Sequence, residues 1–428
     1  MKKYYNLHTS FSTKRKSNLE KEIINRRGKI IPVSSLSDFV TVVHDAVLEL
    51  HNDNHVIDNK TKKNISIGCI RMANVNPCVL LTKAMTLYND EDYEIRVMCY
   101  HSRQILLLRR EQEVYLSKVL NRKKEVEGEY VNFKDSIMRD IIDNSKCKNI
   151  IFLLVATPIE EVGRVHDFDW CIIEPSSIHS IIQMAGRVLR HRHLKDNLNK
   201  KNIGILQYNY AHLTSKYEKI FGNKCFLFPG VEGNKHISLS SHDMNKVISD
   251  INIEERINSV PSIIKPDLSA YNSQKNSFNV FDSMNKAEHY EFQTLNDFCT
   301  RGADMVYDYI YSYVYLTGLP QTINHFRDTS NSRDTDVIAW IGDNHKDILL
   351  CQYNSDKQLT QVSFPLTFDI SGYNEKKLWI VRNYKESLKK LNNGKSDSEN
   401  SQFYGEATVI PSDKKHNLFY NDNFGFYR

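Results

Sequence analysis

The stretch Asn149-Ile-Ile-Phe-Leu-Leu-Val-Ala156 decides the fold class of this chain. After Asn149 it is continuously apolar, and polar residues flank it on the N-terminal side. A short run of this kind is typical of a strand buried on both faces of a parallel sheet. Because such a strand needs helices above and below it, the flanking sequence should alternate between strands and helices.

The flanking sequence shows that alternation. Further strand-like runs lie at residues 65–70, 94–100, 170–173 and 202–208, and stretches with helical spacing of apolar residues lie at 35–51, 77–88, 105–120, 133–142, 177–190 and 212–220. The pattern predicts an α/β fold with a parallel sheet covered by helices on both faces. Ligands of such sheets bind beyond the carboxyl ends of the strands, so the loops after Tyr100, Ala156 and Ile173 are expected to hold the site.

The chain is predicted to contain four segments. Residues 1–33 form a basic N-terminal segment, residues 34–230 the α/β domain, residues 231–290 a linker or excursion, and residues 291–428 a smaller mixed α+β accessory domain. Within the last segment we expect helix at 291–319, strand-like pieces at DVIAWIG, KDILLCQY and KLWIVR, and a loop at 392–405.

Composition excludes several classes of protein. The 428 residues are 40% apolar and 25% charged, which is ordinary for a globular protein. No apolar run reaches the ~18 residues of a membrane span, and the N-terminus lacks the apolar core of a secretory signal, so we expect a cytoplasmic chain without a membrane partner. The eight cysteines form no C-x-x-C pair, which favours buried, reduced thiols over a zinc site.

Positive charge is concentrated in two places. The net charge is +5, but residues 1–30 hold nine Lys and Arg against two Glu, and a second basic cluster spans 187–201. Such clusters suit phosphate backbones, although a solvated surface would have the same composition. The His166-Asp167 and His44-Asp45 pairs lack the further ligands that a metal nuclease needs, so no metal site is predicted.

The strongest motif is Gln183-Met-Ala-Gly-Arg-Val-Leu-Arg190, of the form Q-x-x-G-R-x-x-R. Its spacing of i, i+4 and i+7 is expected to place Gln183, Arg187 and Arg190 on one helix face. Two permanent guanidinium cations suit a polyphosphate, and Gly186 permits close approach of a neighbouring backbone. The alternative is the basic end of an amphipathic helix whose side chains are merely solvated.

Two loops carry further candidates. Thr157 ends the buried strand and could offer its hydroxyl to a phosphate, Gly163 shapes the loop that follows, and Asp167 and Asp169 could hold an arginine. After the strand 94–100, His101, Ser102 and Arg103 could contact a nucleic-acid backbone. Ser102 could instead be the N-cap of the next helix.

Taken together, these segments resemble a known family. Residues 71–74, 99–102, 156–170, 173–177 and 183–192 occur in the order of the second RecA-like domain of superfamily-two helicases. They are most similar to the CRISPR-associated helicase-nuclease of type I systems, particularly its type I-F branch. The resemblance is strong over about 34–225 and weaker to the end, where Asn423-Phe-Gly-Phe426 also resembles the ending of that family.

The resemblance implies a function. It implies ATP-dependent movement along single-stranded DNA after recruitment by a guide-RNA surveillance complex, with Arg187 and Arg190 acting catalytically on ATP phosphates. Gln183, Gly186 and Gly163 would join the ATP site. The nucleic-acid contacts would be His101, Ser102, Arg103 and Thr157.

The chain also departs from the family pattern. It contains no G-x-x-x-x-G-K-[ST] loop, no Asp-Glu-x-His or Asp-Glu-Ala-Asp box and no multi-His/Asp nuclease cluster. ATP and Mg²⁺ are therefore expected to be held mainly by a first RecA-like lobe, which a partner or an upstream portion would supply together with the HD nuclease. We expect no ATPase or nuclease activity from the chain alone, whether it comes from a split gene, a truncated copy or an excised fragment.

Two alternatives stay open at this point. The chain could be a catalytically silent nucleic-acid-binding or interaction module left from a helicase gene. It could also be an unrelated doubly wound domain in which Q-x-x-G-R-x-x-R occurs by coincidence.

Overall fold

A parallel sheet forms the centre of the molecule. The computed structural model describes residues 26–123, 131–161, 163, 165–192, 200–214, 226, 237–271, 278–291, 334–342, 347–413 and 416–428. The strands of the main sheet are β1 (Gly28–Ile31), β2 (Val56–Ile57), β3 (Asn64–Arg71), β4 (Tyr93–Tyr100), β5 (Asn149–Ala156), β6 (Trp170–Ile173) and β7 (Ile203–Leu206). Their order is β1-β7-β6-β3-β5-β4, every neighbouring pair is parallel, and β2 adds an antiparallel pair to β3.

Strand β5 is buried on both faces, as its sequence predicts. Its backbone pairs with β3 on one side and with β4 on the other along its whole length. Since successive side chains of a strand point to opposite faces, Phe152 and Leu154 pack into one core, whereas Ile151, Leu153 and Val155 pack into a second.

Helices cover both faces of this sheet. Helices α1 (Phe39–Asn54) and α2 (Val75–Leu87) cover one face. Helices α3 (Leu106–Val119), α4 (Ser136–Asn144) and α5 (Ile178–Ala185) contribute to the core on the other. The predicted α/β class with a parallel sheet between two helical layers is therefore confirmed. The edge strand β1 was not anticipated, because its four residues lie within the segment that shows only basic charge.

Part of the predicted linker is folded. The short helix α6 (Tyr210–Leu213) precedes the linker. Within the linker, strand β8 (Ile237–Leu239) pairs in parallel with β9 (Asn279–Phe281), and the short helices α7 (Met244–Val247) and α8 (Val260–Ile263) lie between these strands in the chain. Phe281 and Met244 are buried in the same core as α5. These described residues thus pack against the main sheet, while the domain boundaries proposed from the sequence remain predictions.

The C-terminal residues form two small sheets. A four-stranded sheet has the order β12 (Leu359–Gln361), β11 (Leu349–Tyr353), β10 (Thr335–Trp340), β14 (Glu406–Val409), and a three-stranded sheet contains β13 (Leu366–Phe368), β15 (Leu418–Asn421) and β16 (Gly425–Tyr427). Helices α9 (Tyr384–Lys390) and α10 (Asp397–Tyr404) complete this region. The strand predictions for DVIAWIG and KDILLCQY are confirmed, whereas the helix predicted at 291–319 lies outside the described residues beyond Glu291.

Two local predictions in this region are wrong. The loop expected at 392–405 contains α10, whose N-terminus carries a capping box between Ser396 and Glu399 that satisfies backbone N–H groups at the helix start. The strand expected at KLWIVR is a 3-10 turn followed by an isolated parallel bridge from Leu378 to Val97 and a bend. Leu378 and Trp379 pack into the two cores of the main sheet. The apolar side chains are buried by that docking, without the ladder of a strand.

No helix in the described ranges combines the length and apolar character that crossing a membrane requires. None of the described cysteines forms a disulfide. Cys147 is half-buried, and the other described cysteines are buried.

Candidate nucleotide and nucleic-acid site

Arg71, at the carboxyl end of β3, joins the loops at this edge of the sheet. It is fully buried, and its Nε donates to Glu161 Oε1 at 2.6 Å. Nη1 donates to the Glu174 carbonyl at 2.9 Å and Nη2 to Ser180 Oγ at 3.1 Å. Ser180 Oγ in turn donates to Glu161 Oε2 at 3.1 Å. One arginine therefore holds the loop after β5, the end of β6 and helix α5 together.

Arg187 lies against the same loop. It is buried, and its Nη2 donates to the Glu161 carbonyl oxygen at 2.7 Å. Glu161 thus receives Arg71 on its carboxylate and Arg187 on its backbone. This contact places the Arg187 guanidinium at the carboxyl edge of the sheet, where the order of strands and helices predicts a site.

The prediction that Gln183, Arg187 and Arg190 share one helix face is wrong. Helix α5 ends at Ala185, and Leu189 has a positive φ of 45°. The backbone of this segment pairs instead with Phe168, which donates to the Arg187 carbonyl at 2.9 Å and accepts from Leu189 N–H at 3.0 Å. Because these groups are satisfied by a bridge rather than by the helix, Arg187 turns inward and Arg190 is exposed.

The other predicted ATP-site residues lie on α5, at its C-terminus and in the loop after β5. The Gln183 side-chain amide lies 2.7 Å from His179 Nε2 on the partly exposed face of α5. Gly186 is the C-cap of that helix. Gly163 has a positive φ of 69°, a conformation that few other residues adopt, and a β-carbon built there would lie in open space. Their proposed nucleotide contacts remain predictions.

A cluster of buried ion pairs lies beside the segment that follows α5. Asp167 accepts two hydrogen bonds from Arg192, from Nε at 3.2 Å and from Nη2 at 2.8 Å. Asp169 Oδ1 accepts from Arg192 Nη1 at 2.7 Å and from Arg122 Nη1 at 2.8 Å, while its Oδ2 accepts from Ile67 N–H at 2.7 Å. The prediction that these two carboxylates hold an arginine is confirmed. The arginine in the described structure is Arg192, two residues beyond the motif, and Asp169 also accepts from Arg122, which follows the end of α3.

At two carboxylates of this site, Asp167 and Glu174, burial and the neighbouring groups shift the pKa in opposite directions. Burial raises the pKa of Asp167, but the charge and hydrogen bonds of Arg192 outweigh it and leave that pKa below the usual range. At Glu174 burial prevails and raises the pKa, although the carboxylate accepts from Ala73 N–H at 2.5 Å and Tyr210 N–H at 2.8 Å.

The predicted nucleic-acid residues differ in accessibility. Ser102 is exposed, whereas His101 and Thr157 are buried. Arg103 is partly exposed and donates to Asp334 Oδ1 at 3.0 Å. The alternative reading of Ser102 as a helix N-cap is wrong, because α3 begins at Leu106 with Ile105 in the cap position.

Of the residues weighed as metal ligands, His166 lies beside a glutamate. His166 Nδ1 lies 2.7 Å from Glu160 Oε1, and both side chains are buried. Within the ranges that the structure describes, no group of three or more His, Cys, Asp or Glu side chains could hold a metal ion. Arg164, His193 and Lys195 lie outside those ranges, as do 215–220 of the predicted last helix.

The segment that holds this site is similar to part of known Cas3 proteins. Residues 64–193 match the family model of the C-terminal part of the CRISPR-associated nuclease/helicase Cas3. A protein from Pectobacterium atrosepticum, named CRISPR-associated nuclease/helicase Cas3 subtype I-F/YPEST, is 32% identical over 275 residues, which cover 60% of this chain and 23% of that protein. Its namesake from Pseudomonas aeruginosa is 29% identical over 268 residues, covering 60% of this chain and 24% of that protein.

The predicted resemblance to the C-terminal helicase portion of Cas3 is confirmed. The chain spans about a quarter of the length of these two Cas3 relatives. Among solved structures, the T. fusca Cas3-ATP structure aligns with 46% of this chain and 20% of its own, at 16% identity and a TM-score of 0.30.

One residue beyond the segment 64–193 that matches the family model supports the motif helix. Glu288 is buried and accepts hydrogen bonds from the N–H groups of Ile178 and His179, the latter at 3.1 Å. Ser177 receives the next N–H, from Ser180, so the first turn of α5 is satisfied from both sides. Burial raises the pKa of Glu288 to about 8, against the opposing effect of those two N–H donors.

Glu288 was missed from the sequence because it lies in the segment predicted as linker. The only available signal was the apolar pattern around it, Phe281, Met284 and Ala287, which are buried in the core beneath α5. Arg71 and Arg192 belong to the quoted segments, but nothing in their spacing indicates which carboxylates they contact.

Proposed function

We propose that this chain is the C-terminal motor portion of an ATP-dependent single-stranded-DNA translocase that acts in CRISPR type I-F interference. The observation that carries the proposal is the contact of the Arg187 guanidinium with the Glu161 carbonyl at the carboxyl edge of a parallel sheet. The similarity to Cas3 proteins whose names include nuclease and helicase supports the same assignment.

The two arginines of the motif would have different duties. Arg190 is exposed and could reach a phosphate held by a facing lobe. Arg187 is buried against Glu161, so its position would depend on the position of the loop after β5. A guanidinium suits this role because it keeps its charge at every relevant pH and presents a fork of donors to phosphate oxygens. Gln183, Gly186 and Gly163 would complete this side of the nucleotide cleft.

The other half of the cleft would come from a first RecA-like lobe. Since the chain contains no Walker-type loop, ATP and Mg²⁺ would be bound mainly by that lobe, supplied upstream or in trans with the HD nuclease. Ser102, Arg103 and Thr157 are the proposed neighbours of single-stranded DNA, and a guide-RNA surveillance complex would recruit the motor to opened target DNA.

The decisive experiment measures DNA-stimulated ATP hydrolysis. The full chain is assayed alone and together with a separately expressed first lobe, with and without single-stranded DNA. We expect no turnover from the chain alone and DNA-dependent turnover from the pair. Arg190→Ala should lower that turnover by roughly 10³–10⁵-fold, the range measured for phosphate-contacting arginines in GTPases.

A matched variant controls for the loss of a surface cation. Lys146 is exposed and precedes β5, so it lies at the amino edge of the sheet, opposite the proposed cleft. Lys146→Ala should leave turnover unchanged. Efficient hydrolysis by the chain alone, or an Arg190→Ala variant as active as Lys146→Ala, would contradict the proposal.

The silent-module alternative predicts a different result from the same material. In that case single-stranded DNA binds with a strong salt dependence, of slope near −0.7 per phosphate contacted, and no lobe combination hydrolyses ATP.

A further inference from the structure

The C-terminal hairpin formed by β15 and β16 lies against the loop predicted to contact nucleic acid. We propose that His101 is a positioning residue, which this hairpin holds so that Ser102 and Arg103 are presented at the surface. The part of the inference that concerns DNA rests on the proposed function, whereas the geometry of His101 does not.

The hydrogen bonds of His101 define its protonation form. The Arg103 backbone N–H donates to Nδ1 at 3.1 Å, so Nδ1 must be unprotonated. Nε2 lies 2.6 Å from the Phe424 carbonyl oxygen, which can only accept, so Nε2 must carry the proton. Both ring nitrogens of this buried, neutral imidazole are therefore used within the protein, one by its own loop and one by the hairpin.

Gly425 brings the hairpin into direct contact with the same loop. It has a positive φ of 71°, and a β-carbon at this position would lie 2.5 Å from the Arg103 carbonyl oxygen, 2.8 Å from Gln104 Cγ and 2.9 Å from His101 Cε1. The next residue, Phe426, donates its N–H to the Arg103 carbonyl at 2.8 Å. Only glycine fits this conformation and this approach.

A second connection joins the hairpin to the end of β4. The buried Arg382 donates to the Asn423 carbonyl oxygen and, through Nη1 at 2.6 Å, to Gln112 Oε1. Gln112 Nε2 donates in turn to the Cys99 carbonyl at 2.8 Å. The strand end that precedes His101 and the turn that follows β15 are thus tied to one guanidinium.

The three residues of this loop therefore have different roles. His101 is fully buried and occupied, so it stabilises the loop, while Ser102 is exposed. The partly exposed Arg103 bonds Asp334, whose carboxylate lies at the surface, and an ion pair with this access to water is weak enough for a phosphate to replace the carboxylate. Ser102 and Arg103 are therefore the residues of this loop that can reach a DNA backbone.

The first test compares two glycines of the C-terminal region. Gly394 also has a positive φ, of 76°, but open space surrounds it, so Gly394→Ala carries the same backbone penalty without a contact to the loop. With the full chain and labelled single-stranded DNA, Gly425→Ala should weaken binding about tenfold, the effect of losing one hydrogen bond to a charged group, and Gly394→Ala should not. Equal affinities of the two variants would overturn the proposal.

The second test separates positioning from direct contact. His101→Gln keeps an N–H donor for the Phe424 carbonyl, so it should retain binding and the wild-type dependence on salt, whereas His101→Ala should weaken binding. Arg103→Ala should reduce the salt slope by about 0.7, one phosphate contact. A reduced slope in His101→Gln would show that His101 itself contacts phosphate.

The third measurement needs no DNA. Nitrogen-15 NMR of the imidazole in the full chain should show the neutral Nε2–H tautomer of His101, and Gly425→Ala should alter that signal. A neutral Nδ1–H ring, or a ring signal unchanged by Gly425→Ala, overturns the positioning role. Failure of the wild-type chain to bind single-stranded DNA instead overturns the proposed function, and should Gly425→Ala fail to fold, the wild-type tautomer and His101→Gln still decide.

Discussion

Replacing Asp169 with asparagine should destabilise the protein strongly, because this carboxylate neutralises two buried cations. Asp169 accepts from Arg122 and Arg192 on one oxygen and from the Ile67 N–H on the other. The side chains of Asp169, Arg122 and Arg192 are almost fully buried. Asparagine keeps one acceptor oxygen and replaces the other with an NH₂ donor, which must then face a guanidinium or a backbone N–H. Arg122 and Arg192 also each lose a negative charge that they face, and Arg192 keeps the one on Asp167.

The expected cost follows from that count. Removing one partner of a buried ion pair costs about 3–5 kcal/mol, because the remaining charge is left desolvated without compensation. Arg192 keeps Asp167 and the Phe168 carbonyl, so part of its hydrogen bonding survives. We therefore expect Asp169→Asn to lower the free energy of unfolding by about 3 kcal/mol, the lower end of that range.

Urea unfolding followed by tryptophan fluorescence measures this loss, since Trp170 is adjacent and fully buried. Asp143→Asn makes the same chemical change at the surface, where Asp143 pairs with Lys60 and Arg139, and should cost less than about 1 kcal/mol. If the two variants lost equal stability, or if Asp169→Asn lost less than about 1 kcal/mol, the cluster would not have the role assigned to it.

Because the folded-state pKa of Asp167 lies below its usual 3.8, the ionised carboxylate stabilises the folded protein above pH 3.8. This stabilisation is lost as the pH falls through the lower, folded-state pKa. The free energy of unfolding of Asp167→Asn should therefore depend less on pH in this acid range. Glu288→Ala removes the acceptor of the buried Ile178 N–H and of the partly buried His179 N–H, so it should cost about 1–3 kcal/mol and should accelerate hydrogen exchange at both residues, while Glu255→Ala, at an exposed residue, should do neither. Gly68→Ala would place a β-carbon 2.2 Å from the Trp170 ring and should cost at least about 1–3 kcal/mol in urea unfolding, more than Gly394→Ala.

The cluster around Asp169 also shows why a motif does not define its own contacts. Gln183, Arg187 and Arg190 have the spacing of one helix face, yet α5 ends at Ala185. Phe168, fifteen or more residues upstream, supplies the backbone partners that draw residues 187–189 out of the helix. A local pattern contains no information on that competitor, so the inward turn of Arg187 could not be predicted.

In the C-terminal region, by contrast, the sequence did contain the signal for the helix that was missed. The capping signal Ser396-Asp-Ser-Glu399 was present in the sequence and marks the helix that replaced the predicted loop. The apolar KLWIVR segment was ambiguous, since an apolar run can be buried by docking as well as by strand pairing.

By itself, the sequence determined the parallel sheet, its two helical layers, the order of the motif segments and the similarity to Cas3. These properties follow from short-range patterns, because burial on both faces requires continuous apolar strands and helices require their own spacing. Only the tertiary structure decided the partners: Arg71 with Glu161, Arg192 with Asp167, Glu288 with the start of α5 and Phe424 with His101. The physical reason is that a buried polar group must be satisfied by whichever group packing brings to it, and these groups come from residues 25 to 323 positions away.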